Sequence, residues 1–237
     1  MEKTVFFFQR VEKKYLITAE QKAALLECIG QSLVPDSYGK STVCSLYLDT
    51  PSWRLIRDSI HAGVYKEKLR LRSYGKPNPE TLVFLEIKKK YKGVVSKRRV
   101  QLPLDQAMAY IDGGEKPCTG QVMEELDYAL RFYGHPGPAM LIACEREAYF
   151  GAANHDLRIT FDTEVRGRDT HLSLTEGSAG TKLLPPDMVL MEIKTAGAMP
   201  LWLSAALNAQ RIFPGRFSKY GTAYQKLIKT EGVYHNA

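Results

Sequence analysis

The chain has 237 residues, 44% of them hydrophobic and 25% charged, a composition that excludes a disordered or fibrous protein. Its net charge of +7 is unevenly distributed: residues 66–99 hold twelve basic and three acidic residues, whereas the remainder holds 21 basic and 23 acidic ones. A polyanion is the natural partner of so concentrated a positive charge.

Strand-like and helix-like segments alternate along the chain. The first half predicts a strand at 4–16, a helix at 18–31, a strand at 42–49, a short helix with Thr50 as N-cap and Pro51 in its first turn, and strands at 66–74, 81–90 and 94–102. The second half predicts helices at 103–112 and 120–133, strands at 139–150, 156–164 and 188–194, and helices at 200–209 and 218–230.

The connections between strands favour an antiparallel sheet. Residues 91–93, Tyr-Lys-Gly, form a tight hairpin between two of the strands, and connections this short cannot join parallel neighbours. Eight strands are enough to close into a barrel. The expected fold class is therefore α+β, an antiparallel eight-stranded β-barrel tunnel flanked by helices.

Alternation along the strands separates charged from apolar side chains, because successive side chains point to opposite faces. The strand at 66–74 places Lys66, Lys68, Arg70 and Arg72 on one face and leucines on the other. Five further strands also carry charged residues at alternate positions, in sets that include Arg10, Glu12 and Lys14; Glu86, Lys88 and Lys90; Lys97 and Arg99; Arg158; and Glu192 and Lys194. A sheet with its charges in water explains any one strand.

Taken together, the six strands favour a different arrangement. If amphipathic helices cover the apolar face outside, the charged face lines the interior of the barrel. Unpaired buried charges are costly, so this lining must be wet and must hold an anion, and arginine and lysine together suit phosphate oxygens. Glu192, with Glu86 and Glu12 as lesser candidates, either neutralises neighbouring cations or holds Mg²⁺ or Mn²⁺ beside the phosphates. Ser218 is a suitable N-cap for the last helix, with Lys219 in its first turn and Arg216 just before it.

Several short segments, in order, resemble the VTC domain, the polyphosphate polymerase domain of the vacuolar transporter chaperone complex, in its bacterial form. They are Arg-Val-Glu-Lys-Lys-Tyr at 10–15, Ser-Leu-Tyr-Leu-Asp at 45–49, Lys-Leu-Arg-Leu-Arg at 68–72, Glu-Ile-Lys at 86–88, Val-Ser-Lys-Arg-Arg at 95–99, Arg-Glu-Ala-Tyr at 146–149, Leu-Arg-Ile-Thr-Phe-Asp at 157–162, Met-Glu-Ile-Lys at 191–194 and Arg-Phe-Ser-Lys-Tyr at 216–220. The family belongs to the triphosphate tunnel enzymes.

The resemblance implies a metal-dependent polymerase that transfers the terminal phosphate of ATP to a growing polyphosphate chain. The catalytic phosphate-gripping residues would be Arg70, Arg72, Lys88, Arg146, Arg158 and Lys219. Lys14, Lys97, Arg216 and Ser218 would bind further phosphates, and strand alternation adds Arg10, Arg99 and Lys194. Glu192 would be the metal-binding acid, with Mn²⁺ or Mg²⁺ as cofactor.

Two departures from related proteins limit what the resemblance implies. The start lacks the Glu-x-Glu-x-Lys signature of adenylate cyclase and thiamine triphosphatase relatives, which argues against those activities. The chain also lacks the sensing domain and membrane segments of the eukaryotic complex, so we do not expect it to couple synthesis to export by itself.

Three functions on the predicted tunnel remain open: the polymerase, a tripolyphosphate or nucleoside triphosphate hydrolase, and a non-catalytic polyphosphate-binding module. The expected partners are ATP and polyphosphate or other triphosphates, and not nucleic acid, because most tyrosines lie in apolar contexts. Apolar runs are too short for a transmembrane segment or a signal peptide, and the four cysteines form no CxxC pair. We therefore expect one domain at 1–237, cytoplasmic, and leave open a membrane or accessory protein partner.

Overall fold

The computed structural model describes residues 11–61, 63–92 and 94–229, which divide into two compact units. Among the described residues, the first unit consists of 11–40, 146–163 and 185–217, and the second of 41–61, 63–92, 94–145, 164–184 and 218–229. Ten strands are described, and eight of them hydrogen-bond in the order β1-β10-β8-β7-β3-β4-β5-β6. All pairings with a described register are antiparallel.

Two strands contribute to both units: β7 (Gly137–Gly151) and β8 (Arg158–Arg168). The first unit adds β1 (Val11–Thr18), α1 (Ala19–Ile29), β2 (Leu33–Pro35), β10 (Met188–Thr195) and α5 (Leu201–Ala209). The capping box predicted at Thr18 is present, since its hydroxyl accepts from the Gln21 amide and the Gln21 side chain accepts from the Thr18 amide.

One apolar core holds the first unit together. Tyr15 and Ile17 of β1, Ile159 and Phe161 of β8, and Met191 and Ile193 of β10 are buried together with residues of α1 and α5 such as Leu25 and Leu203. The charged residues Lys14, Arg158, Glu192 and Lys194 alternate along these strands with the buried apolar ones and therefore lie on the opposite face of the sheet.

The second unit contains β3 (Ser41–Asp49), α2 (Arg54–Ile60), β4 (Tyr65–Tyr74), β5 (Leu82–Tyr91), β6 (Val94–Pro103), α3 (Leu104–Ile111), α4 (Gln121–Phe132), β9 (Thr181–Lys182) and α6 (Lys219–Ala223). Leu69, Leu71, Leu85 and Ile87 are fully buried in a core to which α3 and α4 contribute residues such as Ala107 and Leu126. The apolar face of the sheet is thus the helix-covered face, as the alternation predicts.

The eight predicted strands are the eight strands of the hydrogen-bonded order, although residues 4–10 of the first lie outside the described range. The sequence missed β2 and β9, which are only three and two residues long. The predicted helix at 218–230 is α6 continued by a π-helix over Tyr224–Lys229, and the predicted helix at 18–31 ends as a 3₁₀ turn over Gly30–Ser32. The antiparallel α+β class is confirmed.

The predicted start of the short helix after β3 is wrong. The helix α2 begins at Arg54, three residues after Pro51, and Trp53 before it has a left-handed backbone with φ of 58°. The buried Asp49 carboxylate accepts hydrogen bonds from the amides of Leu55 and Ile56 at 2.8 and 2.9 Å. Because these amides are capped from Asp49, the chain turns at 50–53 before the helix forms.

Candidate functional site: a cationic sheet face

Three neighbouring strands of the second unit carry a dense set of positive charges on one face. Residues directly opposite each other in an antiparallel pair share a face, so the register sorts the side chains into rows. We call this set the cationic face; it comprises Lys66, Lys68, Arg70 and Arg72 of β4, Glu86, Lys88 and Lys90 of β5, and Lys97 and Arg99 of β6. The leucines between them pack under the helices, so the cationic face lies on the side of the sheet away from α3 and α4.

Glu86 is the one carboxylate on the cationic face, and it is 1% exposed. Its Oε2 accepts from Arg70 Nε at 2.7 Å and lies 2.6 Å from the NH2 nitrogen, while Oε1 lies 2.5 Å from Lys97 Nζ. One buried carboxylate therefore serves two cations. Glu86 thus pairs with its cationic neighbours, as the first of its two predicted roles requires.

Tyr47 of β3 lies opposite Arg70 and extends this row. Its hydroxyl accepts from the Arg70 guanidinium at 3.2 Å, and its ring stacks on that of Tyr220 with centroids 4.4 Å apart. The Tyr220 hydroxyl in turn donates to Asp49 at 2.8 Å, the carboxylate that caps α2. Arg70 is thus held between a carboxylate and a phenol that is itself fixed by packing.

Burial and the charges of this face together shift three pKa values. Burial opposes ionisation of Glu86, but Arg70, Arg72 and Lys97 outweigh it and lower its pKa to about 2. Burial likewise opposes ionisation of Tyr47, but Arg70, Lys68 and Arg72 outweigh it and lower the pKa to about 8. Burial of the Lys97 ammonium lowers its pKa to about 8 despite the attraction of Glu86. A field that stabilises a phenolate and a carboxylate will also stabilise phosphate oxygens.

Three other side chains on this face make defined contacts with neighbouring residues. Arg72 Nε donates to Ser45 Oγ at 3.2 Å, and the Arg99 guanidinium stacks on the Phe84 ring at 4.3 Å from its centroid. Lys68 Nζ donates to Ser218 Oγ at 3.1 Å. Ser218 is the N-cap of α6, as predicted, and accepts from the Gly221 amide.

The first unit carries a second charged row on β1, β10 and β8. Lys14 lies opposite Glu192, which lies opposite Thr160, and Glu12 lies opposite Lys194, which lies opposite Arg158. The Glu192 carboxylate, in a residue 8% exposed, is 3.5 Å from both Lys14 Nζ and Lys194 Nζ. Glu12 lies 3.7 and 4.0 Å from the same two ammonium groups.

These two carboxylates are the residues that could hold a metal. Within the described ranges, no group of three or more histidine, cysteine or acidic residues is placed to hold an ion by itself. Magnesium, however, is commonly bound by one or two protein carboxylates together with substrate phosphates and water. The buried Thr160 hydroxyl, opposite Glu192, has no hydrogen-bond partner among the described residues. The donor set therefore fits a divalent cation that enters with a phosphate ligand.

Three other predicted residues of the first unit have different surroundings. Arg146 makes a bidentate ion pair with Asp162 at 2.6 and 2.7 Å, and Asp162 is fully buried. Arg158 pairs with Asp36 at 3.1 Å and lies over the Phe150 ring. Arg216 is exposed.

The structure thus brings the predicted residues together as two sets, one in each unit. The second unit gathers Arg70, Arg72, Lys88, Lys97 and Arg99 on the cationic face and ties Ser218 to it through Lys68, with Lys219 following Ser218 in the first turn of α6. The first unit gathers Lys14, Lys194 and Glu192, with Arg158 in the adjoining row. Arg10 lies outside the described residues.

Sequence reasoning missed Tyr47 and Ser45 as partners of the two arginines. Both lie on β3 at alternate positions, within the Ser-Leu-Tyr-Leu-Asp segment, and the strand alternation could have identified them. It also missed Asp162 as the partner of Arg146, a pairing that depends on packing between strands distant in sequence.

Comparisons with known proteins agree with this architecture. A candidate adenylate cyclase from Bacillus halodurans superposes with a TM-score of 0.55 at 13% identity, over 93% of this chain and 99% of that one. A candidate adenylyl cyclase from Hippeastrum, described as having a dominant triphosphatase activity, gives 0.53 at 15% over 92% and 96%. A candidate adenylate cyclase from Vibrio parahaemolyticus gives 0.52 at 14% over 90% and 96%. These likenesses confirm the predicted triphosphate tunnel fold.

No curated protein matches the sequence significantly. None of the helices in the described part of the chain is both long and apolar enough to cross a bilayer. The profile of the VTC domain matches residues 9–228, nearly the whole chain. The predicted resemblance is therefore confirmed, and the chain belongs to the VTC domain family.

Proposed function

We propose that this protein is a divalent-metal-dependent polyphosphate polymerase, a phosphotransferase that moves the terminal phosphate of ATP onto a growing polyphosphate chain. The observation that carries the proposal is the cationic face, where eight lysine and arginine side chains lie together with a single buried carboxylate, Glu86. Such a surface is complementary to a linear polyanion with one negative charge or more per repeat. We further propose that residues 1–237 act as one domain and that the protein is cytoplasmic.

The residues of the cationic face would bind and orient phosphates. Arg70 and Arg72 present planar guanidinium groups whose orientations are fixed by Glu86 and Ser45, and Lys88 and Lys97 add point charges in the adjoining row. Phosphoryl transfer needs little covalent chemistry from a protein, because positioning and electrostatic stabilisation of the transferring group supply most of the catalysis. No protein nucleophile is therefore required.

In the first unit, Lys14, Lys194, Arg158, Arg146 and Arg216 are proposed to bind phosphate oxygens, as is Lys219 in the second. Glu192, with Glu12 beside the same lysines, would hold Mg²⁺ or Mn²⁺. The cation would neutralise negative charge on the bound phosphates.

A triphosphate hydrolase is the second candidate function. It is favoured by the likeness to the Hippeastrum protein described as having a dominant triphosphatase activity. The same phosphate-binding residues would serve both reactions, since they differ only in whether water or a phosphate chain end accepts the phosphoryl group.

The test is to incubate the purified protein with ATP and Mn²⁺ or Mg²⁺ and to follow long-chain polyphosphate and free phosphate together. Glu192→Gln and Lys88→Ala should abolish or strongly reduce product formation. Lys89→Ala is the matched control, because Lys89 is adjacent in sequence but points to the other face, where it lies 3.8 Å from Glu67. Free phosphate without polyphosphate would move the assignment to the hydrolase, and binding without either product would leave a polyphosphate-binding module.

A further inference from the structure

The cationic face continues beyond the residues expected to grip a triphosphate. Lys66 and Lys90 lie directly opposite each other on β4 and β5, one step of the alternation past the Lys68–Lys88 pair. The face therefore has four successive rows of cations, formed by Arg72; by Arg70 and Arg99; by Lys68, Lys88 and Lys97; and by Lys66 and Lys90. None of the segments that resemble the VTC domain includes Lys66 or Lys90, the last row.

The length of these rows exceeds that of a triphosphate. Arg72 and Lys66 are six residues apart on one strand, which corresponds to about 20 Å at about 3.4 Å per residue. Three linked phosphoryl groups are much shorter than this, so a triphosphate on the arginine rows cannot also contact the last row. A polyphosphate chain can contact all four.

The last row is also available for a ligand. Lys66 Nζ donates to the backbone carbonyl of Ser59 at 2.8 Å, which fixes one of the three ammonium hydrogens. Lys90 is exposed. In the described part of the chain, no carboxylate lies within ion-pair distance of either ammonium group, in contrast to Lys97 and Lys89.

We propose that Lys66 and Lys90 form a distal subsite that binds polyphosphate chains longer than a triphosphate. The proposal deepens the proposed function, on which it rests for the identity of the polyanion. It makes the cationic face selective for chain length: short substrates are bound by the arginine rows alone, and a long chain gains the two additional contacts. Its lysines hold the chain without touching the transferring phosphate.

The test compares the binding of tripolyphosphate and of size-fractionated polyphosphate, long enough to cover four rows, by titration calorimetry without ATP. In Lys66→Gln/Lys90→Gln we expect the long chain to bind about five- to thirtyfold more weakly, the upper part of the range for two exposed ion pairs, with tripolyphosphate affected less than twofold. Lys76→Gln/Lys89→Gln is the control. It removes the same net charge, but Lys76 lies in the β4–β5 loop and Lys89 faces the other side of the sheet. It should leave both affinities near those of the wild type.

An equal loss for both ligands, or a loss matched by the control, would mean that these lysines contribute only general attraction and would overturn the proposal. Wild-type binding that does not increase with chain length would also overturn it. Thermal unfolding of both double variants checks that they are folded. Because the titrations involve no turnover, chain-length-selective loss in a protein that makes no polyphosphate would refute the polymerase and leave the subsite standing.

Discussion

Replacing Glu86 with glutamine should weaken folding while strengthening anion binding. The carboxylate is 1% exposed and ion-paired with both Arg70 and Lys97, and its removal leaves the largely buried Arg70 and the half-exposed Lys97 facing each other without a counter-charge. Burial acts to raise the pKa of Glu86, but the neighbouring cations outweigh burial and lower the pKa to about 2 from an ordinary 4.5. That difference corresponds to about 3 kcal/mol, which lies in the range found when one member of a buried ion pair is removed.

The sign of the pH dependence follows from the lowered pKa. The contribution of Glu86 to the free energy of unfolding is fully present above about pH 4.5 and is lost as the pH falls towards 2. Urea unfolding at pH 7 should therefore show Glu86→Gln to be less stable than the wild type by about 3 kcal/mol. The stability gap should narrow as the pH falls from about 4.5 towards 2, because the carboxylate protonates in the unfolded chain before it protonates in the folded protein.

The same variant should bind tripolyphosphate about three- to tenfold more tightly, because a negative charge beside the phosphates has been removed. Glu67→Gln is the matched control: Glu67 is a buried carboxylate of β4 that faces the other side, where it accepts hydrogen bonds from the Tyr65 and Tyr133 hydroxyls. It should lose stability without changing anion affinity. Unchanged or weaker tripolyphosphate binding by a folded Glu86→Gln would refute the placement of phosphates on this face.

Three further predictions follow from other parts of the structure. Tripolyphosphate affinity, measured by calorimetry, should fall as the pH rises through about 8, because Lys97 loses its positive charge there and Tyr47 gains a negative one. Tyr47→Phe should show a shallower fall. A pH profile identical to that of the wild type would contradict the role of Tyr47. Asp49→Asn should lower the free energy of unfolding by about 1–3 kcal/mol, because the carboxylate caps α2 and accepts a hydrogen bond from Tyr220. Tyr220→Phe should lower it by about 1 kcal/mol, because only one hydrogen bond is removed. Equal losses of stability in chemical denaturation would argue against the helix cap. Chelation with EDTA should stop turnover of ATP and leave the thermal unfolding curve unchanged, because two carboxylates do not make a structural metal site. Unfolding on chelation would show that a metal ion stabilises the fold.

The alternation of side chains explains why so much of the sheet could be predicted. Lys68, Arg70 and Arg72 alternate with buried leucines, and in a strand this pattern permits one assignment of faces only. The tight hairpin after Tyr91 then fixed which strands are neighbours. The cationic face could therefore be predicted from the two-residue period of the strands and from the hairpin that joins β5 to β6.

The features that could not be predicted from the sequence depend on contacts between residues that are distant along the chain. The start of α2 was misplaced because Asp49 caps the helix from the end of β3, a longer reach than the local pattern of Thr50 and Pro51 suggests. The bidentate pairing of Arg146 with Asp162 likewise depends on packing across strands. A list of basic residues cannot show which of them already has a buried carboxylate partner.

The most direct test of phosphate binding on the cationic face is a diffraction structure of the protein with tripolyphosphate. We expect phosphate groups on the cationic face, within hydrogen-bond distance of Arg70 and Arg72 and beside Lys88. Phosphates bound only elsewhere, with Arg70 still closed on Glu86 and Tyr47 and no density over the face, would contradict it.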